Sequence, residues 1–434
     1  MHAVSLTAVV VTLLSIVLAA LLALLTIPVL VWLERRICGL VQDRLGPNRT
    51  NIFGFRLGGV VQSFADVIKL VFKEEYYPAH ISRGRWLFMA GPMIVFAAAL
   101  LAFMVVPFAD DLTLWGETFP IQALPVEYGV LWYLAIGSVG VVGMIFGGWL
   151  SHNKYSLLGA MRAASQTISY ELALGVGIVS MVATYGSIDF NEMVRWQSGT
   201  VLGFLPAWGV LVQPLAAVVV IVALFVETNR APFNVAEGES EIVAGFFTEY
   251  TAMKFAMFFM AEYVAMNTAS AVIVTMFFGG YQLPWLDTEA LLAHFPAVAA
   301  AIAVLLPLFV LFFVRWMRKN NTVRPTVRSD GGRNFETKVL TVALWAMCAV
   351  VVGLVLYVAT LPADSAALHI AVTLLQVALF VAKLMLFNVF FILVRWTLPR
   401  FRYDQVQWLG WRYLLPLALA NLFVTAIVVT GAAS

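Results

Sequence analysis

The fold is decided by the stretch from Val226 to Tyr263, which reads VETNRAPFNVAEGESEIVAGFFTEYTAMKFAMFFMAEY and joins two long apolar runs. Its six acids, a quarter of the 24 in the protein, are Glu227, Glu237, Glu239, Glu241, Glu249 and Glu262. Glu239 and Glu241, taken singly, also fit a solvated loop that caps the next helix. Glu262 does not, because it lies well inside the second apolar run. A charge at the bilayer centre costs roughly 2.5–3.5 kcal/mol or more, so Glu262 must face a polar cavity, have a partner or take up a proton.

The composition places this stretch in a membrane. The protein consists of 434 residues, of which 62% are apolar and 12% charged, and its mean hydropathy is +0.92. Apolar runs of about twenty residues predict spanning α-helices, because a helix satisfies its own backbone hydrogen bonds in lipid. The sequence therefore predicts an all-α integral membrane protein, with residues 1–434 in a single transmembrane domain.

Ten apolar runs predict ten spans. They are about 6–33, 86–107, 127–150, 164–185, 207–226, 251–277, 296–316, 338–361, 370–394 and 411–432. Inside loops of membrane proteins carry an excess of Lys and Arg. If the N-terminus faces outward, every Lys and Arg except Arg195 and Lys383 falls in an inside loop or at an adjoining helix end. We therefore expect the N-terminus outside the membrane and the acidic loop, at about 227–250, inside.

The first inside loop, 34–85, contains a segment of a different kind. Its apolar residues recur at helical spacing, at Val60, Val61, Phe64, Val67, Ile68, Val71 and Phe72. Asp66, Lys69 and Lys73 stand among them. Such an amphipathic helix lies in the plane of the membrane interface. It either anchors the protein at the surface or forms the wall of a site that is reached from the bilayer.

Other charged residues lie near the inner ends of the predicted spans. Glu171 is about two turns inside the fourth span, so it lies near the same membrane depth as Glu227. After the ninth span, Arg395, Arg400 and Arg402 approach the inner interface. These basic groups suit lipid phosphates, neighbouring subunits or the acids of the central stretch.

Several kinds of site have no support in the sequence. Cys38 and Cys348 are far apart, and the five histidines are scattered, so neither an iron–sulfur cluster nor a zinc or haem site is predicted. No Gly-rich fingerprint follows a strand, which argues against a nucleotide site. We expect this protein to bind no metal, cluster or flavin of its own and no nucleic acid.

Three stretches together resemble one family. They are DRLGPNRTNIFGF (43–55) with QSFADVIKLVFKEE (62–75), FVETNRAPFNVAEGESEIVAGFFTEY (225–250) and VRWTLPRFRYDQVQWLGWRYLLP (394–416). They are similar to the quinone-site membrane subunit of proton-pumping NADH:quinone oxidoreductase, respiratory complex I. The resemblance runs from about residue 20 to 280 and again from about 370 to the end.

The resemblance implies an all-helical subunit of the bacterial inner membrane that is not catalytic in isolation. Electrons would arrive from an iron–sulfur cluster in a peripheral-arm subunit. Ubiquinone or menaquinone would enter from the bilayer between the first helix and the amphipathic helix. Acids would then lead from the quinone cavity toward the antiporter-like membrane subunits.

Carried onto this sequence residue by residue, the resemblance implies three sets of site residues. The proton or charge path would consist of Glu171, Glu227, Glu237, Glu239, Glu241 and Glu262. Arg162 and Arg230 would be their counter-ions, and Arg36 and Asp66 would shape the quinone route.

The sequence departs from the family pattern in two places. Asn234 stands where the family usually has Asp, and Asn can form hydrogen bonds but cannot carry a proton or a negative charge. The family usually has eight spans, so residues of about 290–365 would be an inserted helical hairpin. We expect this hairpin on the outer flank of the subunit, facing lipid or an accessory subunit and peripheral to catalysis.

Two other functions compete with this interpretation. The first is the related membrane subunit of an energy-converting hydrogenase, which works without quinone. The GPNR loop and the EGESE run favour the quinone-reducing branch over it. The second is an unrelated transporter, which predicts inverted repeats with broken helices in matching halves. The sequence has no such symmetry.

Overall fold

The computed structural model describes residues 6–44, 46–48, 50–53, 55–78, 81, 85–114, 117–201, 203–321, 331–362 and 365–433. The helices are α1 (Leu6–Val41), α2 (Val61–Phe72), α3 (Arg85–Phe103), α4 (Gly129–Leu150), α5 (Lys154–Tyr185), α6 (Phe190–Trp196), α7 (Gly209–Val212), α8 (Pro214–Glu227), α9 (Glu239–Ile242), α10 (Ala252–Phe277), α11 (Thr288–Ala293), α12 (Phe295–Asn321), α13 (Gly331–Val358), α14 (Ala366–Thr397), α15 (Tyr403–Leu409) and α16 (Leu415–Ala433). Short 3-10 turns occupy Leu57–Gly59 and Gly245–Phe247, and a π-helical turn, Gly410–Leu414, joins α15 to α16.

The strands within the described ranges are short and lie between helices. They form two antiparallel hairpins, β1 (Leu112–Leu114) with β2 (Glu117–Phe119) and β3 (Thr200–Val201) with β4 (Leu205–Pro206). The predicted all-α class is therefore confirmed.

Within the described ranges, nine helices are long and apolar enough to cross a membrane. They are α1, α3, α4, α5, α10, α12, α13, α14 and the continuous helix from Tyr403 to Gly431. Nine of the ten predicted spans thus correspond to long helices.

The fifth predicted span, 207–226, has a different form. It is broken at Gln213 into α7 and α8, because Pro214 has no backbone N–H with which to continue the first helix. At 1.5 Å per residue, the 14 residues of α8 extend only about 21 Å, less than the ~30 Å hydrocarbon core. The side chain of Gln213 donates to the hydroxyls of Thr184 and Thr425, at 3.1 and 2.9 Å. Neighbouring helices therefore supply polar partners at the break.

Helix α10, which follows the acidic loop, is the centre of the bundle. It packs against α1, α3, α8 and α14. In its most apolar 18-residue stretch 72% is buried, compared with 17% in α12 and 11% in α13. Glu262 on α10 therefore lies inside the subunit, whereas α12 and α13 pack mainly on each other and present apolar surface outward.

The amphipathic segment predicted after the first span is α2. Its apolar side chains Phe64, Ile68 and Phe72 are exposed, and only Val61 and Ser63 are buried. The helix contacts both α1 and α10. It thus lies against the two helices that carry Glu34 and Glu262.

Candidate functional site

The loop between α8 and α10, residues 228–251, folds into the protein. We call it the central loop. The ring of Phe233 is buried and stacks on Phe401, with the ring centroids 5.3 Å apart. Gly245 has a φ of +62°, and a Cβ there would collide with the carbonyl oxygen of Ala236. Because only Gly tolerates both conditions, the return of the loop toward α10 depends on this residue.

Arg230, in the central loop, is the centre of a buried ion cluster. Its Nη1 donates to Oε2 of Glu34 at 3.0 Å, and its Nε lies 3.9 Å from Oε2 of Glu262. Glu34 also accepts a hydrogen bond from the Tyr263 hydroxyl at 2.8 Å and pairs with Arg395. The side chains of Arg230 and Glu34 are only 5% and 9% exposed. Two carboxylates and two guanidinium groups therefore balance one another away from bulk water.

Arg230 keeps its charge in this position. Burial by itself would lower the pKa of Arg230, but Tyr263, Glu34 and Glu262 raise that pKa above its usual range. The guanidinium lies over the ring of Tyr263, with its carbon 3.7 Å from the centroid. Its Nε and Nη2 make no hydrogen bond to any residue that the structure describes. Both nitrogens are buried, so any further partner has to enter the interior of the protein.

Two further acids are held by hydroxyl groups where α4, α5 and α8 meet. Oε2 of Glu227 accepts a hydrogen bond from the hydroxyl of Tyr133 at 3.1 Å. Glu171 accepts one from the hydroxyl of Ser138. Helix α4 thus supplies a neutral donor to each carboxylate, whereas Glu34 is held by cations.

Two cavities meet at Glu262. The first, of about 90 Å³, lies among α3, α4, α8 and α10, and its lining includes Glu262 and Glu227. The second, of about 250 Å³, is lined by Glu262, Glu237 and Arg230 among others. Glu262 is therefore a shared wall between a space that reaches the central loop and a space that reaches Glu227.

The second cavity has an apolar wall opposite its charged groups. Phe247, Phe255 and Phe259 line it, and the rings of Phe247 and Phe255 meet edge to face at 5.5 Å. Ligand sites in proteins commonly combine apolar and aromatic walls with a few placed polar groups. The lining of this cavity therefore combines aromatic side chains with charged groups.

Asn234 has a role that an Asp could not take. Its Nδ2 donates to the carboxylate of Glu237, and the backbone N–H of Glu237 donates to its Oδ1 at 3.3 Å. Arg400 donates to the carbonyl oxygen of Asn234. An ionised Asp only accepts hydrogen bonds, so it would face Glu237 as a second acceptor. The departure from the family pattern thus removes one acid and gives its neighbour a donor.

Glu241, a further predicted acid of the central loop, lies at a separate cavity. Glu241 pairs with Arg162 of α5, and both line a cavity of about 190 Å³ together with Arg400. The side chain of Glu239 lies outside the described part of the protein. Each predicted counter-ion, Arg162 and Arg230, is therefore next to an acid of the predicted path.

Asp66 connects α2 to α1. Its Oδ2 lies 2.5 Å from Nη1 of Arg35, and its Oδ1 accepts from Nε2 of Gln62 at 3.0 Å. Arg36, the residue that the resemblance implied, is half-buried beside Arg35 near the end of α1. The predicted quinone-route residues thus lie where the amphipathic helix meets the first span.

Sequence reasoning missed Glu34 and the pairing of Arg395. Glu34 lies in the charged run 34–36, directly after the first predicted span, and this run was the signal that the sequence offered. Its partner Arg230 is 196 residues away, so no local pattern connects them. Among the basic groups after the ninth span, Arg400 contacts the central loop, since its side chain donates to the backbone carbonyl of Asn234. Arg395 instead binds an acid of α1.

A family model described as NADH dehydrogenase matches residues 13–352 and 331–426. A NADH-quinone oxidoreductase subunit of Flavobacterium psychrophilum is 34% identical over 95% of this protein and 96% of its own length. The corresponding subunit of Thermomicrobium roseum is 36% identical over 92% and 89%. NADH-quinone oxidoreductase subunit 8 of Rhodothermus marinus is 36% identical over 93% of both sequences. The similarity therefore covers the helices that form both cavities.

Proposed function

Because the protein belongs to the NADH dehydrogenase family, we propose that it forms a quinone-access cavity and couples quinone reduction to proton translocation. Its relatives are membrane subunits of NADH-quinone oxidoreductase (complex I). The cavity would lie at the junction with the peripheral arm of that complex. One observation carries this proposal: Glu262 lines both cavities at once. A single carboxylate can therefore respond to chemistry on the central-loop side and transmit the change toward Glu227.

The second cavity supports the quinone part of the proposal. Its aromatic wall, which includes Phe255 and Phe259, suits the ring and the first part of the tail of ubiquinone or menaquinone. Arg230 and Arg395 lie on the charged side, where Nε and Nη2 of Arg230 are free to donate to a quinone oxygen or to a bridging water. The quinone is the substrate, and the electrons come from an iron–sulfur subunit of the peripheral arm.

The coupling part follows from the arrangement of charges. Reduction of quinone takes up electrons and protons, so the local charge near the central loop changes during turnover. This change in charge acts on Glu262 through Arg230, whose Nε lies 3.9 Å from Oε2 of Glu262. Across the first cavity lies Glu227, with Tyr133 as its hydrogen-bond donor, and Glu171 lies beyond on α5. A shift in the proton occupancy of Glu262 therefore alters the charge at the start of a polar path toward the antiporter-like subunits.

The amphipathic helix supports the route by which quinone arrives. Helices α1, α2 and α10 contact one another, and the Arg35–Asp66 pair lies between α1 and α2 on the side that the charge distribution places inside. We place the N-terminus outside, the central loop inside and the opening for quinone at these helices. The domain is single, and residues of about 290–365 are inserted in it as a hairpin.

The test of this function uses the intact complex. Gentle detergent extraction should co-purify flavin and iron–sulfur subunits and antiporter-like subunits, together with NADH:quinone reductase activity. A photoreactive short-tailed quinone should label Phe255 or Phe259, and excess quinone should compete with it. A nickel-containing partner in place of the flavin subunit would select the hydrogenase alternative, and labelling confined to α12 and α13 would contradict the proposed cavity.

The quinone route makes a prediction about Asp66. Asp66→Asn keeps the shape and the hydrogen bond from Gln62 but removes the ion pair with Arg35. The partly exposed pair is worth about 1 kcal/mol at most, so assembly should survive. We expect slower quinone reduction, mainly through a higher KM, whereas electron transfer from NADH to a soluble artificial acceptor should be unchanged.

The control for this variant is Asp404→Asn, which removes an equally small but largely exposed pair with Arg402. It should leave both activities at their wild-type values. Equal loss of both activities in Asp66→Asn would indicate failed assembly and would remove Asp66 from the quinone route.

A further inference from the structure

The inner end of α13 holds the segment that leads into the amphipathic helix. Oε1 of Glu336 accepts hydrogen bonds from the backbone N–H groups of Arg56 at 3.1 Å and Leu57 at 2.5 Å. Glu336 is only 6% exposed. A single buried side-chain oxygen thus satisfies two successive N–H groups at the start of the Leu57–Gly59 turn, from which α2 begins.

Two further contacts fix the same segment. The ring of Phe335, next to Glu336, lies 6.0 Å from the ring of Phe55 between centroids. From the other side, Nε1 of Trp32 on α1 donates to the carbonyl oxygen of Gly58 at 3.0 Å. The turn before α2 is therefore held between the first span and α13.

The opposite end of α2 is held by α10. The backbone N–H of Tyr76 donates to the hydroxyl of Thr251 at 3.3 Å, and Nζ of Lys254 lies 3.2 Å from the carboxylate of Glu75. Between these two attachments, α2 exposes apolar side chains such as Phe64. Its position relative to α1 therefore depends on the Arg35–Asp66 ion pair in its middle and on the contacts at each end, and those at the N-terminal end come partly from α13.

We propose that Glu336 is a positioning residue for quinone admission, because it holds the start of α2 at the opening through which the quinone tail passes. This inference rests on the proposed function. The hairpin of about 290–365, which we expect to be peripheral to catalysis, thereby contributes one contact to the frame of the opening, from the inner end of α13. A quinone with a long tail must pass this frame, whereas a short-tailed analogue depends on it much less.

The experiment compares Glu336→Ala with Glu336→Gln in the purified complex, using a quinone with a long isoprenoid tail and one with a short alkyl tail. Glu336→Ala removes the acceptor, and it should raise KM for the long-tailed quinone about tenfold, equivalent to about 1.4 kcal/mol, with kcat unchanged. KM for the short-tailed quinone should stay at its wild-type value. Glu336→Gln keeps a side-chain oxygen that can accept both N–H groups, so it should restore the wild-type KM.

Glu127→Ala, which removes an exposed acid before α4, serves as the matched control and should change neither KM. If Glu336→Ala does not assemble, Phe335→Leu removes the ring contact from a residue that is 61% exposed, and it should raise the same KM by a smaller factor. An unchanged KM for the long-tailed quinone in the assembled variant overturns the inference, as does an equal rise with Gln and Ala. Failure of the wild-type complex to reduce any quinone would instead refute the proposed function.

Discussion

Replacing Arg230 by methionine is expected to destabilise the subunit by about 3–5 kcal/mol and to abolish quinone reduction. That is the cost of removing one partner from a buried ion pair, because the other charge stays buried without compensation. Methionine approximates the length of the arginine side chain, so packing is largely kept. Glu34 retains Arg395, but Glu262 loses the only cation within 4.0 Å of it among the described residues. The measurements are the yield of assembled complex, its thermal stability and its quinone reductase rate.

The control for this variant is Arg402→Met. Arg402 also pairs with an acid, Asp404, but the two side chains are 72% and 66% exposed. An exposed pair of this kind contributes about 0–1 kcal/mol, so the control should assemble and turn over normally. Arg230→Lys should be intermediate, because lysine keeps the charge but not the planar contact with the Tyr263 ring. Wild-type stability of Arg230→Met would show that the buried cluster does not stabilise the fold.

A double variant separates charge balance from packing. Adding Glu34→Gln to Arg230→Met removes a negative charge together with the positive one. If charge imbalance is the cause of the instability, part of the lost stability should return, which a double-mutant cycle measures directly. Recovery of assembly without recovery of quinone reduction would assign Arg230 a functional role beyond stability.

The fold was largely predictable because hydropathy acts locally. A run such as 251–277 contains its own signal for length and helix type, and it corresponds to α10 within a residue. The fifth span was predicted less well. Its hydropathy is continuous across Gln213 and Pro214, and the break depends on polar partners from α5 and α16, which a single run does not specify.

The grouping of the site's charged residues was predictable from the sequence, but individual contacts such as Glu34–Arg230 were not. The acids of the central loop are close in sequence, so their proximity along the backbone was enough to group them. The resemblance implied that Arg230 is a counter-ion of the path, and its Nε lies 3.9 Å from the carboxylate of Glu262. Glu227 reaches it through a cavity and not through a bond. Glu34 and Glu336 were missed because each acts on a segment far away in sequence.

The prediction for Glu262 follows from its position between the two cavities. Glu262→Gln keeps the shape of the side chain and a hydrogen-bonding terminus but removes the ability to gain and lose a proton. Arg230 retains Glu34 at 3.0 Å, so the ion cluster stays partly balanced and the complex should assemble. We expect coupled turnover to fall on the order of 10²-fold, since a positioned proton-transfer group typically contributes at least that much. NADH oxidation with a soluble artificial acceptor should be unaffected.

The competing explanation is that Glu262 is a structural acid that is permanently neutral or permanently paired. A permanently neutral acid predicts little effect of Gln on any rate. A permanently paired one predicts lost stability with no change in the ratio of protons pumped to quinone reduced. Glu192→Gln, an exposed acid of α6 that pairs with Arg195, controls for the loss of a carboxylate elsewhere and should behave as the wild type. Quinone reductase rate and proton pumping at wild-type values in the assembled Glu262→Gln complex would exclude Glu262 from the coupling path, and with it the idea that one carboxylate joins the two cavities.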